Sequence, residues 1–598
     1  MSRIFRNAAL SMILTMLTAG AAFAADDSVV GGEMPKIQTP TIHSLGVKWV
    51  ITGDDNVNAS VTAQYREAGA SAWRNAMGVW RVMPGEDLAM NAGDVLFAGS
   101  IFNLDAGTTY EVKLTFTDPD GVKLVIDGPD VGSAEQTLVA TTRSEPVVVP
   151  ANTRVRYVIP DTSGGGEGTI DSPFKGLAAA DAAAEPGDLF VLAAGTYPPA
   201  VFTKSGAPSQ PIVWIGPTKG EAVIQGDGTS TGITAASISD VWFEHLTIDL
   251  TSTAVDAPQS QFLVFRYDRV INSANGIKAF PDARGTYVAD NVLIGIDSWP
   301  AGNTGTAITV AGEGAIVANN QISQYDRGIT GGTSDFDYYG NEISEIASFA
   351  CSFDTAWQNG RCYGNRITNV GNGMLLNNVT GGPLYIFRNA IFNTSGEPFF
   401  VNSGTRGIVL ANNTSVKPYD LGTGPFSVYA DVDTPLEERY AIANTIVSNN
   451  LFVGGAQYSA LSARANMLYV NFDYNAYANV PFTHFAEWQD DTYLTLYDFQ
   501  ATTGMELHGV DMGGVKRLFA SGAKVPTDHT KQYPVKYNRL LPSSRLLVDK
   551  GQFYEGVNDG YRGKAPDIGA YEVGRPFPKY GPRPDKNFKK MFKATSGK

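Results

Sequence analysis

Tyr338-Tyr339-Gly340-Asn341-Glu342-Ile343, Cys362-Tyr363-Gly364-Asn365-Arg366-Ile367, Ile386-Phe387-Arg388-Asn389-Ala390-Ile391 and Leu410-Ala411-Asn412-Asn413-Thr414-Ser415 are segments 24 residues apart that align on one Asn. The same Asn recurs at Asn291, Asn320, Asn341, Asn365, Asn389, Asn413 and Asn450, with gaps of 29, 21, 24, 24, 24 and 37. An apolar residue follows two places later in all but Asn413, where Ser415 stands. A period near 24 with occasional longer steps is that of a solenoid whose coils carry three short strands and push insertions into loops. An Asn at one turn of every coil can hydrogen-bond from coil to coil, serving buried turn backbone that a sheet ladder leaves without partners. Asp268 and Glu244 extend the column backwards by 23 and 24 residues. Three places before these positions stand Phe265, Val288, Val317, Tyr338, Cys362, Ile386 and Leu410, an inward apolar column that supports the alignment independently. Leucine-rich repeats would be denser in Leu and a propeller blade needs roughly 40 residues. The fold class is therefore all-β, a parallel solenoid.

Outward from the repeat, Gly168-Thr169-Ile170-Asp171-Ser172-Pro173-Phe174 precedes a helix-like run from Gly176 to Ala184, then Pro186-Gly187-Asp188-Leu189-Phe190-Val191-Leu192 and Gly195-Thr196-Tyr197. This opening resembles the capped start of the right-handed parallel β-helices of the pectate-lyase-like superfamily. Asp473-Tyr474-Asn475, the stretch from Phe499 to His508, Leu540 to Ser544 and Pro566 to Glu572 resemble the closing module of secreted bacterial β-helix proteins. The resemblance implies one β-helix over residues 153–574, with His508 structural rather than catalytic.

Ahead of it, residues 36–146 hold short alternating runs separated by Gly, Asp and Asn turns, the pattern of a small β-sandwich. Leu104-Asp105-Ala106-Gly107-Thr108-Thr109-Tyr110 fits a tyrosine corner, in which the Tyr hydroxyl bonds back to the preceding turn. With Trp49 and Tyr65, the segment resembles a fibronectin type III domain. Residues 1–24 carry Arg3 and Arg6, an apolar run and Ala22-Phe23-Ala24, the pattern of a secretory signal peptide. The expected product starts at Ala25 and is secreted or periplasmic. No later stretch reaches the roughly 18 apolar residues of a membrane-spanning helix. Residues 575–598, with eight basic residues, one acidic residue and four prolines, are expected as a flexible basic tail.

Without the leader, 43 Lys and Arg face 60 Asp and Glu, a net charge of −17. That excludes the basic footprint of a nucleic-acid binder. An acidic protein that takes an acidic polymer has to concentrate its cations at one site.

In the resembled superfamily, the strand after the ladder turn lines an external groove that holds a polysaccharide. Here it falls about ten residues past each ladder position, at Gly276-Ile277-Lys278, Ala307-Ile308-Thr309, Gly328-Ile329-Thr330, Ala350-Cys351-Ser352 and Gly373-Met374-Leu375. Alternation turns Ile277, Ile308, Ile329 and Met374 inward and Lys278, Thr309, Thr330 and Leu375 outward. Lys278, the only Lys between Lys219 and Lys417, thus lies on the groove floor. The flanking loops add Asp282, Arg327 and Asp354, with Arg284, Trp299, Asp326, Tyr339, Trp357 and Arg361 as the substrate-binding set. Aromatic rings offer sugar faces a flat platform, and Arg forks hold carboxylates through paired hydrogen bonds.

By resemblance, the reaction is β-elimination at a uronate. Arg327 or Arg361 neutralises the carboxylate, Lys278 removes the C5 proton, and Tyr339 or water protonates the leaving oxygen. A Lys acting as base requires burial or neighbouring cations. The pattern departs from named families: Thr309 stands where alginate and chondroitin lyases place an Arg one coil after the Lys. The paired Asp and Gly-His motifs of polygalacturonases and the Asp-Pro-His-Asp run of mannuronan epimerases are absent. Two further readings stay open: hydrolysis by paired carboxylates, with Asp326 and Asp354 as the pair, and a non-catalytic glycan-binding or cell-surface protein. Fold analogy does not choose among them.

Cys351 and Cys362 bracket Asp354 and Trp357. In an oxidising compartment they are expected to form a disulfide pinning that loop, the alternative being two buried free thiols. No His and Cys cluster has metal-ligand spacing, and Ca²⁺ between groove carboxylates is what the resemblance would add. The expected protein is a monomer that acts on an acidic polysaccharide.

Overall fold

The computed structural model describes residues 28–588 apart from short segments at 31–33, 83–94, 125–128, 148–152, 304, 355, 378, 380, 403, 419–423, 431, 456–458, 479–482 and 514–517. The expected signal peptide and residues 589–598 lie outside the described residues. Among the described residues no helix is long and apolar enough to cross a membrane.

Each coil contributes one strand to a 14-stranded parallel sheet, turns sharply, and adds two strands to a 24-stranded sheet. The turn is made by a residue at positive φ just before the ladder position, among them Asp290, Asn319, Gly340, Gly364 and Asn412, types that tolerate the left-handed region. Asn365 shows how the ladder works. Its backbone N–H and its Nδ2 both donate to Asn389 Oδ1 at 3.0 Å, and its Nδ2 also donates to the Tyr338 carbonyl. The column runs from Asp268 to Asn475 and ends on Glu506, whose carboxylate accepts from the Asn475 backbone and side chain. Glu244 is not part of it. That side chain belongs to the preceding strand, 3.2 Å from Arg266, and Leu246 takes the ladder place, donating its N–H to Asp268. Phe265, Val288, Val317, Tyr338, Cys362, Ile386 and Leu410 are all buried in the core.

Helix α1 (Leu177–Ala182) closes one end, packing Leu177 and Ala180 into the core. Helix α2 (Leu496–Thr503) closes the other. Thr495 caps it by accepting the Asp498 N–H, and Phe499 packs on Trp488 at 5.4 Å.

Residues before the solenoid form two mainly antiparallel sheets with a shared core. The tyrosine corner is formed: Asp105 N–H donates to the Tyr110 hydroxyl at 2.9 Å. Trp49 and Tyr65 lie in that core. The sandwich starts earlier than position 36, because Val29–Val30 pairs with both Thr52–Gly53 and Val122–Lys123.

The sandwich sits on the outer face of the 14-stranded sheet: Phe102 packs on Tyr385 at 4.8 Å, and Ile42 packs among Val264, Tyr287 and Ile316. The C-terminal segment covers the second strands of the later coils, with Leu518, Phe519, Leu540 and Ile568 against Phe392, Val416 and Leu451. Residues 575–588 are not a free tail. Arg583 bonds Asp290 at 2.8 Å and Glu145 at 3.0 Å, and Phe588 stacks on His245 at 3.6 Å. A segment too polar to build a core is held as a strap by partners elsewhere in the chain. With the first-strand and later second-strand faces covered, the third-strand face stays open among the described residues.

Candidate functional site

The outward column of the third strands runs in register through Thr234, Asp256, Lys278, Thr309, Thr330, Ser352, Leu375, Phe400, Ser427, Ser462 and Glu487. At roughly 4.8 Å per strand it is about 48 Å long. Its character changes along its length.

The first part is polar. Lys278, the one cation in the column, has its Nζ 3.8 Å from Asp256 Oδ1, with side chains 45% and 37% exposed. That Asp256 oxygen is buried and has no hydrogen-bond partner. The Thr309 and Thr330 hydroxyls follow, 3.2 Å apart.

Farther along, Asp354 accepts from Ser352 Oγ and from Asn377 Nδ2, both at 2.8 Å, and Asn377 Oδ1 accepts from Asn402 Nδ2 at 2.6 Å. Beside this row of carboxylate and amides, Phe400 lies 6.4 Å from Phe349 and 6.3 Å from Tyr429, whose ring is 64% exposed. Sequence reasoning missed Asn377, Phe400, Asn402 and Tyr429. Carrying the outward register one coil past Leu375 would have found Phe400.

One rim is acidic. Asp326 meets Arg327 Nε at 3.6 Å. Burial raises the Asp326 carboxyl above its ordinary range, Arg327 opposes the shift and Asp297 adds to it. Trp299, in the adjoining loop, is buried rather than offered as a platform. Asp282 is exposed beside the floor and Trp357 is half-buried.

Lys278, Arg327 and Asp354 are spread along the face. At ~3.3 Å per residue and ~4.8 Å per strand, the Lys278 backbone stands about 14 Å from Arg327 and about 16 Å from Asp354. Asp326 and Asp354 are six positions apart on adjacent strands, about 20 Å, well beyond the roughly 5–9.5 Å that separates glycosidase carboxyls. The hydrolytic pair expected from the sequence is therefore not assembled.

Three residues of the expected binding set belong to the sandwich interface. Arg361 is fully buried and paired with Asp335 at 2.7 Å, with Asp337, and with Ser100 of the sandwich at 3.0 Å. Its neighbour Cys362 points inward, so alternation turns Arg361 out of the 14-stranded sheet, where the sandwich covers it. Burial pushes Asp335 up to about 7 against the pull of Arg361. Tyr339 lies on the same face, 5.7 Å from His43 and 5.1 Å from Tyr363. Arg284 donates to Thr39 Oγ1 at 2.6 Å.

The cysteines do not pin a loop. Both are buried free thiols: Cys351 lies in register between Ile329 and Met374, and Cys362 between Tyr338 and Ile386. His508 meets Asp473 at 2.8 Å and stacks on Tyr474 in the closing segment. Among the described residues no group of three or more His, Cys, Asp or Glu is arranged to hold a metal ion.

No family model and no curated protein matches this sequence. Solved structures similar to it include pectate lyase Pel9A, at 18% identity over 70% of this chain and 97% of that one, with a TM-score of 0.38. XylC in complex with xylose is 10% identical over 72% and 99%, with a TM-score of 0.43. The polygalacturonase from Erwinia carotovora is 12% identical over 58% and 98%, with a TM-score of 0.26.

Proposed function

We propose that this protein, exported by its leader, binds an acidic polysaccharide along the open third-strand face and cleaves it there by β-elimination. One observation carries the reading: the open face presents a continuous outward column with a single cation at one part and an aromatic pair beside amides at another. A chain of sugars is recognised by such a repeated, elongated surface rather than by a closed pocket. The Lys278 ammonium neutralises a uronate carboxylate and so acidifies the C5 proton. Asp256, 3.8 Å away on the preceding coil, receives that proton as the bond from C4 to O4 breaks and the C4–C5 double bond forms. Water on the open face protonates the leaving oxygen. Phe400 and Tyr429 hold sugar units farther along.

Incubation with a panel of uronate polymers should yield an unsaturated, ultraviolet-absorbing product. Lys278→Ala and Asp256→Asn should each lower kcat by ~10²-fold or more, while Lys278→Arg, which keeps the charge, retains part of the activity. Absence of the product from every uronate polymer, or full activity in Lys278→Ala, would refute the reading.

A hydrolytic reading draws on Asp326, whose carboxyl burial raises above its ordinary range, the direction a general acid needs. It requires new reducing ends without unsaturation and their loss in Asp326→Asn. Retention on a glycan column with no cleavage would instead identify a binding protein.

A further inference from the structure

We propose a second binding site, for a small carboxylated sugar, in a cavity of about 820 Å³ where the sandwich, the 14-stranded sheet and the C-terminal segment meet. It shares no residue with the third-strand column. Arg74 enters from the sandwich, Arg388 from the solenoid, and Arg539 and Arg575 from the C-terminal segment. None of the four forms a salt bridge among the described residues, although Glu572, Asp559 and Asp567 attract Arg388 at longer range. Asp559 and Glu572, the two acidic side chains in the lining, have their hydrogen bonds directed to backbone. Asp559 accepts the Gly556 N–H at 2.9 Å, and Glu572 accepts the N–H groups of Arg562 and Asp567 at 2.8 and 3.0 Å.

Two of the arginines are held in place. Arg388 Nε donates to the Val557 carbonyl at 2.8 Å, and the Arg539 guanidinium lies 4.5 Å over the Phe577 ring. Phe577 in turn packs on Tyr571 at 4.6 Å. In a protein of net charge −15, four arginines against the two carboxylates of Asp559 and Glu572 leave this one cavity with a local excess of positive charge, which makes it an anion site. Their planar forks suit a carboxylate, and the aromatic wall suits the apolar face of a ring. The volume falls within the ~300–1,000 Å³ of small-molecule sites. The anion follows from the arginines alone, whereas the choice of a sugar rests on the groove reading above.

Calorimetric titration of the whole protein with digalacturonate, lactose and inorganic sulfate tests it. Digalacturonate should bind at least tenfold more tightly than either control. That binding should weaken at least tenfold in Arg539→Ala/Arg575→Ala and in Arg74→Ala, exposed positions whose loss leaves the core intact. It should be unchanged in Phe400→Ala, which alters the groove. No binding, equal binding of lactose or of sulfate, binding that survives the arginine substitutions, or binding lost in Phe400→Ala would each overturn the proposal. Because the readout is binding of a disaccharide with a groove variant alongside, failure here is distinguishable from failure to cleave a polymer.

Discussion

At the scale of single residues, the ladder Asn is the most exacting position. Asn365 Oδ1 accepts both the N–H and the Nδ2 of Asn341 at 3.0 and 2.9 Å, so Asn365→Ala leaves the buried Asn341 N–H without its acceptor, leaves Asn341 Nδ2 only the Val317 carbonyl, and removes the bond to the Tyr338 carbonyl. With each orphaned buried group costing about 1–3 kcal/mol, the variant should lose ~3 kcal/mol or more in urea unfolding. A loss below about 1 kcal/mol would mean that water replaces the ladder. Glu506, at the end of the same column, is pushed by burial up to about 7 from an ordinary 4.5. A carboxyl raised in the folded state binds more protons there than in the unfolded chain, so its contribution to stability is full below pH ~4.5 and is lost as pH rises toward 7. Glu244 and Asp335, each also raised to about 7 by burial, act in the same direction. Glu506→Gln should flatten the fall in stability between pH 4.5 and 7 by up to ~1.4 kcal/mol per pH unit. An unaltered slope would remove Glu506 as a contributor.

At the scale of elements, the strap and the inward strands make separate predictions. Arg583 is 41% exposed, but the Asp290 carboxylate it pairs with is fully buried. Arg583→Ala therefore leaves a buried charge uncompensated and should cost ~2 kcal/mol, below the range for a fully buried pair because one partner reaches solvent. Thermal melting with Lys579→Ala as a control of equal charge change would check this. The two cysteines point into the solenoid core, and burial pushes the Cys362 thiol well above its ordinary value. A thiol reagent should therefore label neither in the native protein and both after denaturation without reductant. No labelling in denaturant would reinstate a disulfide. Strand periodicity was legible because alternation sets side-chain direction locally. Its limit shows at Arg361 and Tyr339, which alternation turned outward on the 14-stranded sheet rather than into the groove.

At the scale of the whole molecule, the solenoid was readable because each coil repeats the same contacts about 24 residues on, so the Asn column and the inward column report on each other. The helix-like run at Gly176 to Ala184 and the tyrosine corner were readable for a similar reason, since each is completed by neighbours close in sequence. The covered faces were not. The sandwich, the C-terminal segment and the strap reach their partners across long chain separations: Arg583 and Glu145 are 438 positions apart, and no periodic signal links such residues. Burial then reassigned Arg361, Tyr339 and Arg284 to an interface, left Lys278 as the one cation in the floor column, and gathered Arg74, Arg388, Arg539 and Arg575 around a cavity no motif announced. The sequence by itself determined the coil and which side chains turn outward from it, because those depend on local backbone geometry. Only the tertiary structure decided which outward faces meet solvent, because that depends on what the distant ends of the chain lie against.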